Sequence, residues 1–69
     1  MKLSARNSLP GTIRKIDSGA VNAEVTIEVA PGITIVSVIT LDAVKSLGLK
    51  EGSNAYAVIK ASSVMVGVD

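Results

Sequence analysis

The clearest pattern along the chain is an alternation of apolar and polar residues between positions 20 and 30. Apolar residues occupy every second position from Val21 to Val29, and polar or charged residues stand between them. A repeat of two predicts a half-buried β-strand. Residues 11–16 precede it and are separated from it by a turn at residues 17–19, so the two segments predict a β-hairpin.

A second hydrophobic segment, residues 33–40, follows a turn at Pro31 and Gly32 and is rich in β-branched residues. Its apolar side chains fall on both faces of the predicted strand, Ile33, Ile35 and Ile39 on one and Val36 and Val38 on the other. Apolar groups on two faces indicate a strand that is covered on both sides. We expect a partner subunit to provide the second cover.

The repeat then changes from strand to helix. Leu41, Val44 and Leu47 recur at helical spacing. Helix start and stop signals surround them, namely Thr40 as the N-cap, Asp42 in the first turn and Gly48 at the end. The pattern therefore predicts one short helix over residues 41–48.

Two more strands are predicted after a turn at residues 49–52. They cover residues 55–59 and 64–68, with a polar break at residues 60–63 between them. Five strands with a helix between the third and fourth is the order of an OB-fold, an all-β, partly open Greek-key barrel. A five-stranded SH3-like barrel would give a similar pattern, so the topology stays open at this point. The length predicts one domain, residues 1–69.

Composition excludes several kinds of chemistry. The chain has no Cys and no His, so it can form neither a disulfide, nor a Cys/His metal site, nor a catalytic triad, and no set of residues favours an enzyme. A net charge of +1 and a single aromatic residue, Tyr56, argue against nucleic-acid binding. No membrane-spanning apolar run and no signal-like start are present, so we expect no membrane association and a cytoplasmic location.

Hydrophobic residues make up 48% of the chain, more than one small core can easily bury. A domain of this size buries only about 60% of its unfolded surface and is marginally stable alone. We therefore expect a homo-oligomer. The same surplus of aliphatic surface suits an alternative function, a small β-barrel module that docks on another protein.

Two polar clusters interrupt the aliphatic pattern, residues 4–7 near the start and residues 60–63 near the end. Each combines one cation with short hydroxyl or amide side chains, a mixture that suits a small oxyanion. The helix start at Thr40 offers further N–H donors. The alternatives are an ordinary polar start, an ordinary turn and a simple helix cap.

Five segments in this order resemble the molbindins, a family of small molybdate-binding proteins: SARN at 4–7, AEV at 23–25, ITLD at 39–42, LGLKEG at 47–52 and KASSVM at 60–65. The resemblance extends over essentially the whole chain without a gap. It implies an OB-fold-like cytoplasmic protein that binds molybdate or tungstate for storage or buffering and needs no cofactor. It also implies a hexamer, a trimer of dimers, with the anions bound between subunits.

The resemblance also implies the residues of the oxyanion site. One segment would contribute Ser4, Ala5 and Arg6, another Lys60, Ala61 and Ser62, and a neighbouring subunit Thr40 and Ala43. Relatives often have a hydroxyl residue at the position of Ala43, which can offer only its backbone N–H. A second class of oxyanion site near the three-fold axis would fall on the turn of Ser18, Gly19 and Ala20.

Overall fold

The computed structural model describes all residues, 1–69, and is mostly β. Its elements in chain order are β1 (Asn7–Ser18), β2 (Asn22–Ala30), β3 (Ile33–Thr40), α1 (Leu41–Ser46), β4 (Asn54–Ile59) and a 3-10 turn (Ala61–Ser63). The predicted all-β class and the helix between the third and fourth strands are confirmed. No helix is long and apolar enough to cross a membrane.

The four strands form one antiparallel sheet in the order β3-β2-β1-β4, which curls into a half-barrel. Strand β1 pairs with two neighbours: its first half pairs with β4 and its second half with β2. The sheet edges β3 and β4 approach each other across a mostly apolar cleft of about 150 Å³, between residues 35–37 and 56–59. The half-barrel is therefore open along one side.

The prediction of a fifth strand over residues 64–68 is wrong for the single chain. These residues belong to no helix or strand, and Met65, Val66 and Val68 are 92–94% exposed. A strand needs a neighbour that accepts and donates its backbone hydrogen bonds, and no strand of the same chain pairs with this segment. An apolar, strand-like sequence is thus left without a partner.

Strand β1 is longer than the predicted segment at residues 11–16, because it starts at Asn7. Pro10 hides this extension in the sequence, since proline is confined to special positions in strands. In the structure Pro10 lies opposite Tyr56 in the register with β4. The next residue, Gly11, approaches β2 so closely that a Cβ atom there would lie 2.5 Å from the Glu28 carbonyl oxygen.

The buried core consists of five side chains: Ile13, Ala23, Val25, Ile27 and Ala57. Three of them are alternate residues of β2, as the repeat of two predicts. One face of β3 is exposed in the single chain, where Val36 is 55% and Val38 65% exposed, and its cover by a partner subunit stays a prediction. Tyr56, at 56% exposed, is not a core residue either. Much apolar surface therefore faces outward.

Helix α1 begins as the sequence predicts and ends two residues early. The Thr40 hydroxyl oxygen accepts a hydrogen bond from the Ala43 N–H at 3.0 Å, which makes Thr40 the N-cap. The Leu41 N–H donates to the Val21 carbonyl oxygen at 2.9 Å and fixes the helix start against the residue that precedes β2. The last helical residue is Ser46, and Gly48 follows at a φ of 64°, a conformation that favours glycine.

One ion pair joins β1 to β2. Arg14 Nη2 lies 2.8 Å from Glu28 Oε1. The hydrogen bond and charge of the guanidinium lower the pKa of Glu28 below its ordinary value. A carboxyl group with a lowered pKa in the folded state stabilises that state above its unfolded pKa, and this stabilisation is lost as the pH falls through the folded pKa.

We therefore expect Glu28→Gln to lower the melting temperature at neutral pH, and the difference from the wild type to shrink as the pH is lowered. At a pH where Glu28 is protonated, neither protein carries a negative charge at position 28. Thermal melts between neutral and acidic pH measure this difference. Glu24→Gln is the comparison on the same strand, because Glu24 has no ion pair and lies opposite Asp17, so its loss should not lower the melting temperature. A pH-independent loss in Glu28→Gln would contradict the assignment.

Candidate functional site

The two polar clusters of the sequence meet in one open groove of about 670 Å³. Antiparallel pairing of β1 with β4 brings them together, because the register begins with Asn7 opposite Ile59. Residues that precede β1 therefore lie beside residues that follow β4. The groove is lined by Ser4, Ala5, Arg6, Val58, Lys60, Ala61 and Ser62. Six of these seven are residues that the sequence predicts for the oxyanion site.

The groove is electropositive. Arg6 and Lys60 are exposed, and neither takes part in an ion pair, since the chain's single ion pair is the one between Arg14 and Glu28. No acidic residue lines the groove. Two unpaired cations beside short hydroxyl side chains favour an anion and disfavour a cation.

Backbone donors add to these side chains. In the 3-10 turn the Ser63 N–H donates to the Lys60 carbonyl oxygen at 2.8 Å, and the Val64 N–H donates to the Ala61 carbonyl oxygen. The N–H groups of Ala61 and Ser62 come before this first turn bond and have no backbone acceptor in the chain. No side chain caps the turn. The groove therefore offers two free N–H groups between Lys60 and the hydroxyl group of Ser62.

The structure does not bring Thr40 and Ala43 to this groove within one chain. Thr40 lies in a separate depression with Ala20 and Asp42. The Ala43 N–H, the one donor that this residue can offer, already bonds to the Thr40 hydroxyl oxygen. Thr40 keeps its own hydroxyl hydrogen for a ligand, whereas a ligand bond from Ala43 would have to replace the cap.

The predicted secondary site is divided by the structure. Ser18 and Gly19 line a depression together with the carboxylates of Asp17 and Glu24, which lie opposite each other in the β1–β2 register, and Ala20 lines the Thr40 depression instead. The Gly19 N–H is not free, because it donates to the Asn22 carbonyl oxygen at 2.8 Å. Two adjacent carboxylates repel an anion. The secondary site stays a prediction, and in the single chain the two carboxylates and the engaged Gly19 N–H disfavour an anion there.

One groove residue was not predicted. Val58 lies on β4, two positions before Lys60, and forms an apolar side of the groove. Alternate residues of an extended chain share a side, and Lys60 continues the strand in an extended conformation, so the spacing of two was the available signal. No group of three or more His, Cys, Asp or Glu side chains is placed to hold a metal ion.

An OB-fold-like half-barrel with a cationic groove rich in hydroxyl and N–H donors defines a class of small β-proteins suited to oxyanions. The TOBE domain family matches residues 3–66 of the chain. The chain belongs to this family and, within it, to the molbindins, or Mop proteins.

Three similar proteins place the chain in that group. The probable molybdenum-pterin-binding protein of Haemophilus influenzae is 52% identical over 69 residues, which is 100% of both chains. The structure of MopII from Clostridium pasteurianum in an apo form matches with a TM-score of 0.90 and 45% identity, over 97% of this chain and 100% of that one. The molybdate-bound structure of ModG, described as a cytoplasmic molybdate-binding protein, matches with a TM-score of 0.93 and 55% identity. That match covers 100% of this chain and 49% of ModG.

These likenesses decide between the two barrel topologies that the sequence left open. The neighbours are OB-fold-like Mop proteins, so the OB-fold prediction is confirmed, with four strands in the single chain instead of five. The relatives bear the names of binding and transport proteins rather than of enzymes.

Proposed function

We propose that this protein binds molybdate, and tungstate, as intact oxyanions and stores or buffers them in the cytoplasm. The groove formed by residues 4–6 and 60–62 is the observation that carries the proposal. The molybdate-bound ModG structure, whose matched half is 55% identical to this chain, supports the choice of anion. We expect no cofactor and no catalysis.

The groove chemistry suits a tetrahedral dianion. Moving such an ion out of water costs several kcal/mol unless charges and donors replace its hydration shell. Lys60 and Arg6 supply opposite charge, and Ser4, Ser62 and the free Ala61 N–H supply hydrogen bonds. Because the chain has no Cys and no His, the metal would be held through its oxygen atoms alone. Selection against sulfate, which has the same charge and shape, then depends on size.

The site is proposed to be complete only between subunits. The groove is open on one side, and the Thr40 hydroxyl lies in a different depression. A second copy of the chain can present its Thr40 to the groove of the first, which one chain cannot do for itself. A ligand shared by two subunits stabilises the assembly, because it favours the state that binds it.

The apolar surface supports this assembly. Only 5 of 69 residues are buried in the single chain, and exposed side chains include Val36 and Val38 on β3. Residues 64–68 have no strand partner in their own chain, and β3 has a free edge. We infer that residues 64–68 pack against a second copy of the chain. A hexamer of three dimers is the assembly that the family resemblance implies.

Calorimetric titration of the purified protein tests the proposal. We expect saturable binding heat with molybdate and with tungstate, and much weaker binding of sulfate at the same ionic strength. Equal affinity for sulfate, or no heat with either metal oxyanion, would contradict the function. Elemental analysis of the protein as isolated for Mo and W tells which anion it carries.

The alternative function is a module that docks on another protein through the exposed stripe of Val36 and Val38. Light scattering during size-exclusion chromatography separates the two functions. A stable homo-oligomer buries the stripe internally and favours the oxyanion protein. A monomer of 7.0 kDa that binds no molybdate favours the docking module.

A further inference from the structure

The two halves of the oxyanion groove are joined at one end only. Residues 4–6 lie just before β1 and residues 60–62 just after β4. The register pair Asn7 and Ile59 is the last one between the two strands. Beyond it, no hydrogen bond links residues 1–6 to residues 60–69. The position of residues 4–6 relative to residues 60–62 therefore depends on how firmly Asn7 and Ile59 are held together.

A side chain reinforces that pair. Asn7 Nδ2 donates a hydrogen bond to the Ile59 carbonyl oxygen at 3.4 Å. Asn7 is half-buried, whereas its neighbours Arg6 and Ser8 are exposed. It does not line the groove. The amide thus acts on the strand end and does not contact the anion position.

The bonded carbonyl has a direct consequence for Lys60. The Ile59 carbonyl and the Lys60 N–H belong to one peptide group, which is planar and trans, so they point in opposite directions. Fixing the carbonyl therefore fixes the plane from which Lys60 and the 3-10 turn begin. Through the Asn7 side chain, the same bond also limits the distance between the backbone of Asn7, with the adjacent Arg6, and Ile59.

We infer that Asn7 is a positioning residue for the oxyanion groove: its amide holds the Ile59–Lys60 peptide group and so keeps the two cationic segments at the spacing that the anion needs. This inference rests on the proposed function. Ordering flexible segments on binding weakens affinity, and a bond that orders them beforehand removes part of that cost. At 3.4 Å this bond is longer than the usual N–H···O distance, so its loss should change affinity by about two- to threefold, the low end of the range for neutral hydrogen bonds.

Two variants separate the donor from the shape of the side chain. Asn7→Leu keeps the size and the neutral charge but cannot donate, whereas Asn7→Gln keeps the amide donor on a longer stem. Titration calorimetry with molybdate should show affinity about two- to threefold weaker in Asn7→Leu and nearly that of the wild type in Asn7→Gln. Ser8→Ala is the matched control, since Ser8 is the adjacent exposed residue and makes no side-chain hydrogen bond.

A second measurement needs no ligand. Backbone NMR order parameters of the unliganded protein report motion on the picosecond-to-nanosecond timescale. We expect them to fall in Asn7→Leu at residues 4–6 and 60–62, and to stay unchanged in β2. A merely structural role would instead lower the melting temperature without a local loss of order.

The outcomes are distinct. If the wild type gives no heat with molybdate, the proposed function fails, and the order parameters alone still decide whether Asn7 positions the two segments. If the wild type binds molybdate and Asn7→Leu binds it equally well, the inference is overturned. It is also overturned if Asn7→Gln is as weak as Asn7→Leu, because the donor would then not be the cause.

Discussion

Replacing Lys60 with alanine should weaken molybdate binding by roughly 10- to 150-fold, the range expected when a hydrogen bond to a charged group is lost. Lys60 and Arg6 are the only two cationic side chains in the groove, and no acidic residue balances them there. Titration calorimetry measures the change. The fold should be unaffected, because Lys60 is exposed and makes no ion pair and no cap bond in the chain.

Two variants sharpen this prediction. Lys50→Ala removes the same charge from the exposed turn after α1, outside the groove, and should bind molybdate like the wild type. Lys60→Met keeps the length of the side chain without its charge and should behave like Lys60→Ala. Light scattering on the unliganded proteins should give the same mass for all of them. Unchanged affinity in Lys60→Ala would remove Lys60 from the site.

Much of the fold could be predicted because local patterns determine it. The alternation along β2 predicted which face of the strand is buried. Thr40 predicted the start of α1, because its hydroxyl oxygen accepts a hydrogen bond from the N–H three residues later. The turn at Pro31 and Gly32 was also predictable, and Gly32 adopts a φ of 73° there. Each of these features depends on neighbours in the sequence.

The remaining features of the fold depend on distant partners. The extension of β1 to Asn7 is stabilised by β4, where the partner of Asn7 is Ile59, 52 positions away, and Pro10 obscures the extension in the sequence. Residues 64–68 have the composition of a strand but no strand of their own chain to pair with. Sequence patterns report which segments suit a strand, and pairing decides which of them form one.

The candidate site likewise combines features that local sequence predicts with features that depend on distant partners. The residue types of both clusters indicated an oxyanion, and the register of β1 with β4 then brought them into one groove. The sequence did not reveal that the carboxylates of Asp17 and Glu24 flank the turn at Ser18. This finding depends on a cross-strand pair that only the folded chain defines.

The C-terminal segment offers the sharpest test of assembly. Val66 is 92% exposed in the single chain, so a change there removes almost no contact within one subunit. If residues 64–68 pack against a second copy, Val66→Asp places an unpaired carboxylate in an apolar interface. Burying such a charge costs several kcal/mol, which corresponds to a loss of association of more than about 100-fold.

We therefore expect Val66→Asp to elute as a 7.0 kDa monomer under conditions in which the wild type is an oligomer, as measured by light scattering. Val66→Thr has nearly the same shape without a charge, and it should retain most of the assembly. Because the anion site is proposed to need a neighbour's Thr40, the monomeric Val66→Asp variant should also bind molybdate far more weakly than the wild type. An oligomer of wild-type mass in Val66→Asp would show that residues 64–68 lie outside the interface. If Val66→Asp stays oligomeric but binds molybdate weakly, loss of assembly would not explain the effect on the anion site.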